Sequence, residues 1–330
     1  MSRVMGRRDF TALAAASLIA GALPACGKTA TTAHAPAEPA PSFGEAVRTI
    51  RTLIARDTHD AAILPAARPR LYEHGKAVEH AVVLFHGFTN CPQQFDELAR
   101  AFHAHGCNVY VPRIPRHGLK DRLTRALTDL SVAELEACSK EAFDLARGLG
   151  SSVSAVGLSL GASMVLWLAQ TQPIDLAVAV APFLMPAAPP DGRAIPSFLG
   201  EPAMRILHAI PNMYWWWDPR VKERCKPDYA YPGYPTHALA ELVFLGDAIV
   251  LDAVRNKPRG RRCVLVLNEH DNAVVNDVSR NLLALWNSHG AGYRELVLPG
   301  VGARHDVIDP TTFPQGRTLV YPTLEALVLG

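Results

Sequence analysis

No basic stripe runs along this chain. Charged residues make up only 19% of it and the formal net charge is +2. Nucleic acid is therefore not an expected partner. There is no internal repeat. The apolar run Phe10 to Leu23 is too short and too rich in alanine to span a bilayer. No pair of cysteines has the C-x-x-C spacing of a zinc site. Setting Cys26 aside, Cys91, Cys107, Cys138, Cys225 and Cys263 remain, an odd number that leaves at least one thiol unpaired. Cys107 and Cys263 fall in expected buried strands, where a free cysteine behaves as a small hydrophobe. What is present is apolar substance: 330 residues at 49% hydrophobic content, enough for one large α/β domain or two small ones.

The chain is expected to divide into three segments: an export signal over 1–25, a tether over 26–42, and a globular domain over 43–330, the first boundary being implied by the resemblances that follow. Arg7-Arg8-Asp9-Phe10 before the apolar run resembles a twin-arginine export signal. Leu23-Pro24-Ala25-Cys26 resembles a bacterial lipobox, with Pro24 departing from the usual residue. That resemblance implies a lipid on Cys26, hence a membrane-anchored protein facing the periplasm or the cell exterior. The alternative is a soluble periplasmic or secreted protein cut after Ala33-His34-Ala35, against which Pro36 argues. Lys28 to Ser42 is rich in Ala, Thr and Pro without apolar periodicity, as in a flexible tether.

From residue 43 onward the pattern alternates. Phe43 to Ile54 has helical spacing, and Arg68 to Tyr72 reads as an edge strand. His80–Phe85, Cys107–Pro112, Ser152–Val156, Leu176–Ala181, Arg262–Leu267 and Tyr293–Leu298 read as strands, mostly continuous apolar runs of the kind buried in parallel sheets. Helical patterns lie between them: Pro92 to His105 with Phe95, Leu98, Ala99 and Phe102 on one face; a helix capped by Asp129 or Ser131 and reaching about Leu149; Leu160 to Ala169; Thr236 to Asn256; and Val274 to His289. A closing helix reaches Leu329. This rhythm predicts a mostly parallel sheet with helices on both faces and right-handed crossovers. The Pro- and aromatic-rich stretch around 183–240 interrupts it and reads as a cap. Its Trp215-Trp216-Trp217 triplet cannot place all three rings in one core, so with Met213 it is a candidate hydrophobic substrate wall. The alternative is that the rings fasten the cap to the sheet.

Gly157-Leu158-Ser159-Leu160-Gly161 joins a strand to a helix. A serine at so sharp a turn needs strained backbone, and side chains at Gly157 and Gly161 would strike the neighbouring strand and helix. In return the Ser159 hydroxyl stands at a helix N-terminus, where developing negative charge is favoured. In this context the motif resembles the nucleophile elbow of α/β-hydrolases. Further residues extend the resemblance over about 75–315. His86-Gly87-Phe88 follows the first buried strand. Arg116-His117-Gly118 resembles the Gly-His-Gly loop of monoacylglycerol lipases and related esterases, with Arg116 in place of glycine. Asn268-Glu269-His270-Asp271 with Val274 is similar to the family's Gly-x-x-Asp-x-x-Val, with Asn268 in place of glycine. His305 follows the last strand.

The resemblance implies a serine hydrolase with Ser159 as nucleophile, His305 as base and acid, and Asp271 as orienting carboxylate. It also implies an oxyanion hole from the N–H groups of Phe88 and Leu160, with no metal or cofactor. Glu269 and Asp277 are alternative acids. His86 and His117 are expected to be structural, and His103 and His105 to form a solvated helix end. The implied activity is hydrolysis of small-molecule acyl esters of moderate chain length, as in bacterial carboxylesterases and monoacylglycerol lipases. An amidase or acyltransferase on the same triad, or a non-catalytic binding protein of the same fold, are the alternatives.

Overall fold

The computed structural model describes residues 39–186 and 211–330. The expected export signal, Cys26, most of the tether and the middle of the expected cap lie outside them. In chain order the elements begin α1 (Phe43–His59), β1 (Arg70–Tyr72), β2 (Val78–Phe85), α2 (Asp96–Ala104), β3 (Asn108–Val111), α3 (Val132–Ala146) and β4 (Gly150–Leu158). They continue with α4 (Leu160–Thr171), β5 (Leu176–Val180), β6 (Tyr214–Trp216), β7 (Gly233–Pro235), α5 (Thr236–Arg255) and β8 (Cys263–Leu267). The last are α6 (Asn276–Ser288), β9 (Arg294–Val297), α7 (Gly316–Leu319) and α8 (Tyr321–Leu329). None of the described helices is long and apolar enough to cross a membrane.

Seven strands form one sheet in the order β1-β3-β2-β4-β5-β8-β9. Every pairing is parallel except that of β1, which runs antiparallel along β3. The order explains the apolar runs. Ala81 to Phe85, Ala155, Val156 and all of β5 are covered on both faces and are at most 1% exposed. From β2 the chain steps to β3 on one side and then to β4 on the other. Open parallel sheets place their ligands in the crevice at such a reversal, beyond the strands' C-terminal ends. The register Phe85↔Gly157 sends the loops after β2 and β4 out side by side into that crevice.

Local sequence accounts for the element ends. Ser42 and Ser131, rather than Asp129, cap α1 and α3, each in a reciprocal box with Glu45 or Glu134 three residues on. The expected helix 92–105 is two elements. Pro92–Phe95 forms a tight 3-10 turn with Pro92 at its start and the Gln94 side chain turned inward to Gly87, and α2 starts only at Asp96. The first helix runs to His59, five residues beyond the expected end at Ile54. His103 is not simply solvated, since its ring stacks on His74 with centroids 4.1 Å apart. All five described cysteines are free thiols.

Candidate active site

Ser159 occupies the turn between β4 and α4 with φ 57° and ψ −116°. For a non-glycine residue this left-handed backbone is strained. The two flanking glycines make it attainable. A Cβ on Gly157 would lie 2.2 Å from the Gly161 carbonyl oxygen, and one on Gly161 would lie 2.0 Å from that of Phe85. The expected collisions with helix and strand are thus both present, and both involve backbone, which cannot step aside. The Ser159 N–H donates to Val180 O at 3.0 Å, and Ser159 O accepts from Ser163 N–H at 3.0 Å and Phe183 N–H at 3.2 Å. The elbow is pinned to β5 and α4 on both sides of the serine.

Beyond the C-terminal end of β8, the Asp271 side chain is fully buried and lies against His305, whose side chain is 23% exposed. The His305 Nδ1 is 2.9 Å from Asp271 Oδ2 and 3.1 Å from Oδ1. Nδ1–H donates to the carboxylate, leaving Nε2 as the free ring nitrogen. Asp271 is itself oriented by the N–H groups of Ala273 at 2.8 Å and Val274 at 3.3 Å. Glu269 and Asp277, the alternative acids, both pair instead with Arg280 at the surface.

Asn268, the departure from glycine, has a role of its own. It is 2% exposed. Its Nδ2 donates to Gly302 O at 2.8 Å and Arg304 O at 2.6 Å, and its Oδ1 accepts from His270 N–H at 3.0 Å. One side chain thereby joins the loop of Asp271 to the loop of His305. A glycine there has no atoms to do this.

His86 and His117 lie beneath the loop that carries Phe88. His86 Nε2 accepts from Ile114 N–H at 3.1 Å, and its Nδ1–H donates to Gly87 O at 3.0 Å. Complete burial, with His117 nearby, holds the His86 imidazole well below its ordinary range. His117 Nδ1–H donates to Pro115 O at 2.8 Å, and burial lowers its pKa to about 4. Its ring lies edge-on to His86 and Phe88 and nearly parallel to Tyr231. Both imidazoles are neutral struts, in line with the structural expectation. Arg116 explains its own departure from glycine. It sits at φ 67°, the backbone that favours glycine, and its guanidinium is held by Glu134 at 2.9 Å.

The described part of the cap is a β6–β7 hairpin laid beside this loop. Tyr231 N–H donates to Thr89 O at 2.8 Å, and Trp217 Nε1–H donates to Thr89 Oγ1 at 2.8 Å. Arg122 gathers the carbonyls of Ala230 at 2.8 Å and Cys225 at 2.7 Å beneath it. Alternation along β6 exposes Met213 (44%), Trp215 (38%) and Trp217 (45%) in one row, and the Trp217 ring lies 6.2 Å from Phe88. Trp216 departs from the expected wall. It projects from the opposite face and packs edge-on against Tyr214 at 5.1 Å. Gln94, Asn268 and Arg122 were missed as organising residues. Only Asn268 left a trace, as a deviation within an otherwise matching motif.

The strained Ser159 at its strand–helix turn and the Asp271–His305 pair lie beyond the C-terminal ends of strands in one open parallel sheet. A model of the "Alpha/beta hydrolase family" matches residues 82–315, and the chain belongs to that family. It is 28% identical over 189 residues to a "Thermostable monoacylglycerol lipase" of Bacillus sp. (strain H-257), covering 56% of this chain and 67% of that protein. Among solved structures it is similar in fold to a metagenome-derived lipolytic enzyme, with TM-score 0.57, 19% identity, and coverage of 79% of this chain and 99% of that one. It is likewise similar to the monoacylglycerol lipase of Paleococcus ferrophilus, with TM-score 0.57, 19% identity, and coverage of 78% and 98%.

Proposed function

We propose that the protein is a serine esterase that cleaves carboxylic acyl esters through a covalent acyl-enzyme. The observation that carries this reading is the hydrogen bond from His305 Nδ1 to buried Asp271, which fixes the tautomer a general base needs and leaves Nε2 for the serine proton. Ser159 Oγ attacks the ester carbonyl carbon while His305 Nε2 takes its proton. The carbonyl oxygen becomes an oxyanion, held by the N–H groups of Phe88 and Leu160. As the tetrahedral intermediate collapses, the imidazolium returns the proton to the departing alcohol. Water then repeats the sequence on the acyl-enzyme and releases the acid and free serine. The ester character of the substrate is supported by the kinship to monoacylglycerol lipases. An acyl group of moderate length is supported by the exposed row Met213, Trp215 and Trp217 beside the oxyanion loop.

The lipobox-like sequence at Cys26 supports an anchored protein facing the periplasm or cell exterior. On this reading Cys26→Ser moves the protein from the membrane fraction to the soluble one, and a full-length protein already soluble contradicts the anchor. The activity is tested with a chain-length series of p-nitrophenyl esters alongside the matching anilides. The expected outcome is ester turnover with an optimum at intermediate length, lost in Ser159→Ala. Preferential cleavage of the anilides would replace esterase by amidase.

A further inference from the structure

One side chain ties the oxyanion loop to the loop of the base. Gln94, in the 3-10 turn after β2, is 2% exposed. Its Oε1 accepts from Gly87 N–H at 2.7 Å, and its Nε2 donates to Asp306 Oδ2 at 2.8 Å. Gly87 directly precedes Phe88, and Asp306 directly follows His305. The far partner is anchored in turn, since Asp306 Oδ1 accepts from Ile308 N–H at 3.1 Å and Asp309 N–H at 3.0 Å. Gly87 is fixed on its other side, where its carbonyl accepts from Asn90 N–H at 3.1 Å. Each end of the bridge is therefore rigid, and the amide between them sets their separation.

The chemistry of the two ends dictates the residue. At this bridge the Gly87 N–H can only donate and the Asp306 carboxylate can only accept. A primary amide presents one acceptor and one donor in a single neutral plane, and those partners allow only one orientation of it. A carboxylate at position 94 would face Asp306 anion to anion, and an alkyl group would leave a buried N–H and a carboxylate oxygen unpaired.

We propose that Gln94 is a positioning residue that holds the oxyanion donor at Phe88 and the base at His305 in register about one tetrahedral centre. This rests on the esterase reading above. The two groups act on opposite parts of the same intermediate, so a relative displacement of about 1 Å costs on the order of 100-fold in rate. The bridge touches no substrate, so its loss lowers kcat and leaves KM nearly unchanged.

The test compares wild type, Gln94→Ala, Gln94→Glu and the pair Gln94→Glu/Asp306→Asn on a p-nitrophenyl ester. Rates are expressed per serine titrated with a fluorophosphonate, which removes unfolded protein from the comparison. Gln94→Ala is expected to lower kcat about 10- to 100-fold at unchanged KM. Gln94→Glu has its own signature. Protonated, it reproduces the amide, accepting from Gly87 and donating to Asp306; ionised, it repels Asp306. Its kcat should therefore fall as pH rises, a limb the wild type lacks. Of the other groups that feel Asp306, Asp309 is raised mainly by its own burial, and Tyr321 is pushed up by burial and nearby acids. Both are common to all variants, as is His305, so the added limb belongs to position 94. In the pair, the amide introduced by Asp306→Asn donates to the ionised carboxylate and keeps the contacts to Ile308 and Asp309. It should abolish the limb and recover kcat to within about 5-fold of wild type. A kcat per titrated serine within about twofold of wild type in Gln94→Ala, or no added limb in Gln94→Glu, overturns the bridge. Should Gln94→Ala not fold, the limb and its removal in the pair decide. A wild type that neither titrates nor turns over ester overturns the esterase reading beneath the bridge, and the wild-type control alone reveals it.

Discussion

The serine and the histidine of this site are held in place by different means. Around Ser159 the constraint is backbone. Gly157 and Gly161 are pressed against carbonyl oxygens at distances no Cβ tolerates, and the serine's own N–H and C=O are tied to β5 and α4. Around His305 the constraint is side chain. Asp271 holds the ring, Asn268 holds the preceding carbonyls, and Asp306, reached by Gln94, holds the turn that follows. Backbone crowding admits one residue type and writes itself into sequence as a motif. Side-chain tethers admit several solutions: Asp271 shows through a family pattern, but a tether from a distant position such as Gln94 leaves no spacing to read.

That contrast yields graded perturbations. The largest is on the side-chain half. Asp271→Asn preserves shape but lets the imidazole adopt the wrong tautomer, so kcat is expected to fall about 10⁴-fold with the fold intact, as steady-state kinetics and circular dichroism would record. On the backbone half, Gly161→Ala drives a Cβ into the Phe85 and His86 main chain. A loss of about 3–5 kcal/mol in urea unfolding is expected, and wild-type stability would show the elbow to be more pliant than its contacts imply.

The third perturbation is acid. His117 has its pKa lowered to about 4 by burial, against about 6.5 when unfolded. The unfolded chain therefore binds the extra proton, so this residue's stabilising contribution is complete above about pH 6.5 and is lost as pH falls toward 4. The cost at pH 4 is about 3 kcal/mol relative to pH 7, with buried His86 acting in the same direction. Urea titrations of wild type and His117→Phe across that window check it, since the variant should lose less stability on acidification.

The smallest perturbation is the sharpest. Asn268→Gly moves the chain toward the family motif yet removes the ties to Gly302 and Arg304. If side chains position His305, kcat is expected to fall about 10-fold and stability by about 1–3 kcal/mol. An unchanged protein would assign the His305 loop's position to backbone after all.

The same division decides what was legible in the sequence. The apolar runs became buried strands and fixed the parallel sheet. The elbow was readable to the residue, because Ser159 requires its glycines. The positions of Asp271 and His305 followed from chain order and family pattern, and the two residues do meet. The break at Phe95 was not legible, because Phe95, Leu98, Ala99 and Phe102 satisfy helical periodicity whether or not the first turn is 3-10. Nor was Gln94, whose partner Asp306 lies 212 residues away. The facing of Trp215, Trp216 and Trp217 was half readable. A triplet must divide between two faces, but only the strand's pairing shows that Trp216 is the one turned away from the row.

The central claim is that Ser159 becomes acylated. Incubating the full chain briefly with a slowly deacylating p-nitrophenyl ester, quenching in acid and mapping peptides by mass spectrometry tests it directly. The account predicts one acyl group, on the peptide carrying Ser159, absent in Ser159→Ala and accumulating far more slowly in His305→Ala. Ester turnover with no adduct on that peptide, or an adduct that persists in Ser159→Ala, would contradict it.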